Sequence, residues 1–89
     1  MLTFTRGLAY ELGPKGVRVN ALAPGFIVGS KFHATHTPPA AVSGIVAGIP
    51  LGRAGTVDDV ARAAVFLASE YDGFITAATL DINGGSHAF

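Results

Sequence analysis

The 89-residue sequence contains neither cysteine nor tryptophan. Without cysteine there is no disulfide framework and no thiolate chemistry, a composition compatible with the reducing cytosol. Charge is scarce as well: charged residues make up 13% of the chain, against the roughly 25% of an ordinary globular domain. Six Lys and Arg balance six Asp and Glu, so the formal net charge is zero, and no block of one sign occurs anywhere. Capture of nucleic acid or of an anionic membrane surface has no electrostatic footprint here, and neither is expected as a partner. No apolar run approaches the roughly 18 residues of a membrane span. The opening segment carries Arg6, Tyr10 and Glu11 where a signal peptide has an unbroken apolar core. The expectation is a soluble, cytoplasmic protein.

Apolar residues are abundant, at 49% of the chain, which excludes intrinsic disorder. A chain this short forms at most one small domain, whose high ratio of surface to volume calls for extra polar covering. The deficit of charge therefore predicts faces that meet other protein.

Met1, Phe4, Leu8 and Leu12 recur at helical spacing and predict an amphipathic helix over 1–12, stopped by Gly13 and Pro14. No Ser, Thr, Asp or Asn precedes it to cap its first amides, so it reads as the rear of a longer helix. Residues 17–23 are β-branched at their start and largely apolar on both faces, as in an interior strand of a parallel sheet. Pro24-Gly25 ends that strand. From Phe26 to Pro39 the chain has Gly29, two histidines and paired prolines, and reads as a loop. Thr37 is placed to cap a short helix with Pro38 at its first position and Val42, Ile45, Val46 and Ile49 on one stripe.

The turn-rich link 50–55 leads to a helix over 56–69. Thr56 and Asp59 stand at capping-box spacing, and Asp58 and Asp59 suit the positive end of the helix dipole. Val60, Ala61, Ala64 and Leu67 lie on one side of this helix, with Ala63 and Phe66 on another, so both sides call for burial. Tyr71-Asp72-Gly73 turns the chain into a last strand over 75–82, closed by Asn83-Gly84-Gly85. The order helix, strand, helix, helix, strand is that of an α/β parallel sheet with crossover connections. Two strands do not finish such a sheet. The expected fold is part of a doubly wound, Rossmann-like sheet, incomplete as a domain unless partner chains complete it.

Candidate chemistry is sparse. His33 and His36 invite a metal reading, but no Cys, Asp or Glu lies between Phe26 and Ile49 to complete a ligand set, and no metal site is predicted. His87 has no evident partner. Gly44-Ile45-Val46-Ala47-Gly48 neither follows a strand nor opens a helix, which excludes it as a dinucleotide fingerprint. Tyr10 and Lys15 are separated by Gly13-Pro14 and do not share a helical face. Arg53 with Asp58 and Asp59 reads as a local ion pair or cap, and Asn20 as a hydrogen-bonding residue acting across the strand or supporting the Pro-Gly turn. Pro24-Gly25-Phe26-Ile27 leaves the strand at its carboxyl end, where the ligands of open α/β sheets sit.

Five ordered blocks together carry a resemblance. They are the first helix with Leu8-Ala9-Tyr10-Glu11-Leu12; Gly16-Val17-Arg18-Val19-Asn20 running on to Pro24-Gly25-Phe26-Ile27; Ile49-Pro50-Leu51-Gly52-Arg53; Asp59-Val60-Ala61 with Phe66-Leu67-Ala68-Ser69; and Ile75-Thr76 with Thr79-Leu80-Asp81-Ile82-Asn83-Gly84-Gly85. In this order the chain resembles the carboxyl-terminal portion of short-chain dehydrogenases/reductases, most of all the 3-oxoacyl-[acyl-carrier-protein] reductase type. Only the stretch 29–47 matches loosely.

The resemblance implies hydride transfer between NAD or NADP and an alcohol or carbonyl, on a small-molecule or acyl-thioester substrate. It also implies that the glycine-rich cofactor fingerprint, the catalytic Ser and the Tyr-x-x-x-Lys pair lie outside these blocks, so that 1–89 holds no catalytic residue and is inactive alone. Residues 1–12 would be the rear of the helix that carries the Tyr and Lys. Residues 24–50 would be the cofactor turn and substrate flap, with Pro24, Gly25, Phe26, Ile27 and Gly29 at the cofactor and main-chain groups of Ile27 on the nicotinamide carboxamide. Gly29 stands where the family commonly has a Thr whose hydroxyl meets the cofactor, with Ser30 beside it. The 56–69 helix and 75–82 strand correspond to the family's main subunit interface and imply a homo-oligomer. Two alternatives stand beside this reading: a non-catalytic module docking onto intact reductase subunits, and a truncated reading frame without function.

Overall fold

A computed structural model describes residues 2–29, 39–70 and 73–86. Helix α1 (Leu2–Leu12) runs into a single 3-10 turn at Gly13–Lys15, where Pro14 ends the helical hydrogen bonding. Gly16 takes a left-handed backbone, φ 77°, and its N–H closes the turn on the Gly13 carbonyl at 2.9 Å. The buried positions of α1 are the small ones, Thr5 and Ala9. Leu8 and Leu12 are half-buried, and Phe4 of the expected apolar stripe is exposed. Small side chains on that face let the helix backbone approach its neighbours, which a Phe would hold off.

Strand β1 (Ala21–Pro24) pairs in parallel with β4 (Thr79–Ile82), in the register Ala21↔Thr79, Leu22↔Leu80, Ala23↔Asp81 and Pro24↔Ile82. Both strands are shorter than the 17–23 and 75–82 read from composition, for one shared reason. Ala77 has a left-handed backbone, φ 61°, which kinks the chain just before β4. Upstream of that kink the two segments are joined irregularly. Val19 N–H donates to the Thr76 hydroxyl at 3.0 Å and Ala77 N–H to the Val19 carbonyl at 2.8 Å, so the regular ladder starts only at Ala21.

Two residues of the expected loop, Ile27 and Val28, form a short strand β2 that pairs in parallel with β3 (Gly55–Thr56). Helix α2 (Pro39–Ala47) follows, with Val42 and Val46 half-buried, Ile45 largely exposed and Ile49 buried just past its end. Thr37, Pro38, His33, His36, Ser30 and His87 lie outside the described residues.

Helix α3 (Val57–Ala68) has its expected capping box. The Thr56 hydroxyl accepts from Asp59 N–H at 3.2 Å, and the Asp59 carboxylate accepts from Thr56 N–H at 2.8 Å. Its inward row is Val60, Ala63 and Leu67, while Ala61, Ala64 and Phe66 are exposed, so the burial runs on a different stripe from the one expected. Among the described apolar residues only Ala9, Ile27 (8% exposed) and Ile49 (6% exposed) are buried. A core this thin is the counterpart of a sheet with two strands.

Candidate functional site

The site forms where β1 and β4 end side by side. Gly25 N–H donates to the Ile82 carbonyl at 2.8 Å, extending the pairing one residue past β1. A Cβ at position 25 would lie 2.8 Å from the Asn83 Cβ and 3.1 Å from its Cα, so only glycine lets the two backbones meet. Gly55 then donates its N–H to the Phe26 carbonyl at 3.0 Å. The Ile27 side chain lies over Gly55, so close that a Cβ there would sit 2.6 Å from Ile27 Cδ1. The turn is thus held from two sides, by the end of β4 and by the start of β3.

That fastening orients Ile27. Main-chain groups of an extended chain alternate in direction, and Phe26 turns its carbonyl toward Gly55. The amide and carbonyl of Ile27 therefore face away from β3, while its side chain is anchored inside. Gly29 ends the described part of the turn with φ +92°, a backbone that a β-branched residue adopts only under strain. Glycine at this position follows from the backbone the chain adopts.

A cleft of about 520 Å³ lies beyond the carboxyl end of β4, lined among others by Leu51, Arg53, Asp59, Asp81, Asn83 and Gly84. None of Pro24, Gly25, Phe26, Ile27 or Gly29 lines it. It is the joint between the 50–55 link and the 82–85 turn, where Leu51 N–H donates to the Gly84 carbonyl at 3.1 Å.

Two of its charged groups, Arg53 and Asp59, are engaged with each other. Arg53 donates to both oxygens of Asp59, at 2.8 and 3.3 Å, and Arg62 reaches Asp59 at 2.7 Å. The hydrogen bond from Arg53, then that from Thr56 N–H, hold the Asp59 carboxyl well below the usual carboxylate range, and the same pair raises Arg53. The Asp59 side chain is only 16% exposed. A carboxylate so committed stays ionised and works as a cap, not as an acid. Asp58 takes no part in this pair; Asp59 alone makes it.

Asn20 takes the cross-strand role. Its Nδ2 donates to the Ile75 carbonyl at 3.1 Å and its Oδ1 accepts from Ala78 N–H at 3.0 Å, which leaves the Pro-Gly turn to other partners. No sequence motif singles out Arg18, yet its guanidinium donates to three carbonyls: Leu67 at 3.0 Å, Ser69 at 2.8 Å and Ile75 at 3.2 Å. The available signal is a lone arginine inside an otherwise apolar, β-branched run. Tyr10 is exposed on α1 and Lys15 ends the following turn. Among the described residues no group of three His, Cys, Asp or Glu gathers as a metal site, and no helix is long and apolar enough to cross a membrane.

The arrangement has relatives. The family described as enoyl-(acyl carrier protein) reductase matches residues 1–87. The 3-oxoacyl-[acyl-carrier-protein] reductase FabG of Chlamydia pneumoniae is 45% identical over 85 residues, covering 96% of this chain and 34% of that protein. Among solved structures, a 3-oxoacyl-[acyl-carrier protein] reductase from Brucella melitensis superposes with a TM-score of 0.87 at 39% identity, over 94% of this chain and 31% of that one. YwfH, an NADPH dependent reductase involved in bacilysin biosynthesis, gives 0.85 at 31% identity, over 99% and 37%. The chain spans about a third of the length of the curated relatives it matches. By sequence along nearly its whole length and by fold, the chain belongs to the short-chain dehydrogenase/reductase family.

Proposed function

We propose that residues 24–29 form the nicotinamide-side wall of a reductase site that takes NAD or NADP and the carbonyl of an acyl thioester. The observation that carries this reading is the orientation of Ile27: its amide and carbonyl are turned away from β3 at the carboxyl end of a parallel pair, while its side chain is anchored. A main-chain donor and acceptor side by side match the carbonyl and amide of a nicotinamide carboxamide, so the residues present fit the group. The cofactor, when bound, supplies the hydride. Ile27 would orient the ring, and Pro24 and Gly25 would fix the direction in which the turn leaves β1. Gly29 contributes backbone alone, without the hydroxyl that the resemblance assigns to this position.

The 89 residues hold no Tyr-x-x-x-Lys pair, and Tyr10 stands exposed on α1. In this reading the proton donor comes from elsewhere in a larger site, and the 89-residue chain is inactive alone. The purified chain mixed with NADPH or NADH and an acetoacetyl thioester should leave the absorbance of the reduced cofactor unchanged. Turnover in that mixture would overturn the claim that the 89-residue chain is inactive alone.

A second reading, an interaction module that joins copies of itself or intact reductase subunits through the 56–69 helix and 75–82 strand, is favoured by the exposure of Val65, Phe66 and Leu80. Co-expression with an intact homologue followed by size-exclusion chromatography separates the two. Co-elution supports docking, and independent elution removes it.

A further inference from the structure

We propose that Arg18 is a positioning residue for the 24–29 turn: its guanidinium ties the end of α3 to the entry of β4, which keeps β4 in register with β1 and so sets Asn83 against Gly25. The proposal deepens the reading of 24–29 as a cofactor wall and rests on it for its functional meaning alone.

Three observations carry it. First, one guanidinium serves carbonyls from two separate elements. Leu67 and Ser69 are the carboxyl end of α3, where the helix dipole is negative and carbonyls lack intrahelical partners, and Ile75 leads into β4. A planar fork of five N–H donors can span such a set, and a single ammonium cannot.

Second, the segment that Arg18 holds is strained. Ala77 has φ 61°, a left-handed conformation that costs a residue with a Cβ roughly 1–2 kcal/mol and persists only where the surroundings enforce it. Residues 18–20 supply hydrogen bonds on both sides of it. Arg18 and Asn20 both bind the Ile75 carbonyl, Val19 binds Thr76 and Ala77, and Asn20 binds Ala78 N–H. Arg18 and Asn20 are two residues apart, the spacing that brings extended-chain side chains to one face. Ile75 is where they meet.

Third, the clamp and the site lie at opposite ends of one short ladder. The pairing begins with Ala21 N–H on the Ala78 carbonyl at 2.9 Å and ends with Gly25 N–H on the Ile82 carbonyl at 2.8 Å. Among the described residues β1 and β4 have no other strand neighbour, so no further ladder holds them in register. A two-stranded pairing of this length is marginal by itself. Fastening at its entry then acts together with the Gly25–Ile82 and Leu51–Gly84 bonds at its exit to set where Asn83 arrives.

The test is hydrogen exchange resolved to single amides in the intact protein, comparing wild type with Arg18→Lys, Arg18→Ala and the exposed-arginine control Arg62→Ala. Stranding carbonyls that had charged donors should cut the protection of Ala21 and Gly25 amides about tenfold or more in both Arg18 variants. The mid-helix amide of Ala64 should keep its protection, and Arg62→Ala should change neither strand amide. Failure of Lys to rescue is part of the expectation, because the charge is retained and only the fork is lost. Four outcomes overturn the proposal: unchanged protection at Gly25, loss confined to Ser69 at the end of α3, an equal loss at Ala64 that marks a general stabiliser, or full rescue by lysine. No cofactor enters the measurement, so an intact Gly25 response with no nicotinamide binding would instead count against the cofactor-wall reading.

Discussion

Gly25 and Asn83 approach so closely that a Cβ on Gly25 would lie 2.8 Å from the Asn83 Cβ. The contact joins the exit of β1 to the exit of β4, where the Gly25 amide also reaches Ile82. Gly25 is not in the left-handed region, so the demand for glycine is one of space and not of backbone angle. Gly25→Ala should therefore destabilise the protein by about 1–3 kcal/mol through overpacking. Gly7 makes the control: nothing lies within 4 Å of a Cβ there, and it sits inside α1. Gly7→Ala should stabilise by roughly 0.5–1 kcal/mol through helix propensity. Urea midpoints of the two variants should move in opposite directions.

Acid should expose the work of Asp59. Its folded carboxyl is held well below the usual range, first by Arg53 and then by Thr56 N–H. A depressed folded value means that the stabilisation is fully present above the unfolded carboxylate pKa of about 3.9 and is lost progressively as pH falls below it. Urea midpoints taken from about pH 6 down to about pH 2 should fall in this window, and Asp59→Asn should flatten that part of the fall. A wild-type slope retained in Asp59→Asn would place the acid sensitivity on another group.

The same box can be broken from its other member. Thr56→Ala removes the hydroxyl that accepts from Asp59 N–H and leaves a first-turn amide of α3 without that partner. The expected loss is about 1 kcal/mol, and Thr56→Ser should recover most of it. Thermal unfolding of the pair measures both.

How far the residues announced these features depends on the distance over which they act. The capping box at Thr56 and Asp59 and the stop at Gly13 and Pro14 arise from neighbours a few positions apart and are legible, while the parallel character of the strands is legible from the order of the elements. The β2 to β3 pairing joins Ile27 to Gly55, and the Arg18 bonds reach residues 49 to 57 positions away. Nothing in local spacing encodes such partners. The strand starts are not legible for a related reason: β-branched Val17 and Val19 favour extension, but the kink at Ala77 decides where the ladder begins. At the site, Pro24-Gly25 was visible as a turn, whereas the orientation of Ile27 exists only once Phe26 has found Gly55.

Ala77 offers a substitution of the opposite kind. Its φ of 61° is unfavourable for alanine and neutral for glycine. The relief of roughly 1–2 kcal/mol is partly offset by the added freedom of glycine in the unfolded chain, about 0.5–1 kcal/mol. Ala77→Gly should leave stability equal or slightly raised, with the Ala77 amide still protected by the Val19 carbonyl. A clear loss of stability would mean that the Ala77 methyl packs against something that outweighs the strain.

Self-association is the expectation with the widest consequence. The composition is rich in apolar residues and poor in charge, yet among the described residues no large side chain is fully buried. Val65 is 68% exposed and Phe66 45% exposed on the outer side of α3, with Leu80 also open on β4. Exposing such residues to water costs roughly 25 cal/mol per Å² of apolar surface, which contact between copies would recover. Light scattering of the 89-residue chain should therefore show species larger than the monomer. Val65→Lys together with Phe66→Glu should shift the distribution toward monomer while circular dichroism retains the helical signal, because neither side chain belongs to the inward row of Val60, Ala63 and Leu67. A wild-type chain that is folded and monomeric at all concentrations would show that this apolar face needs no partner.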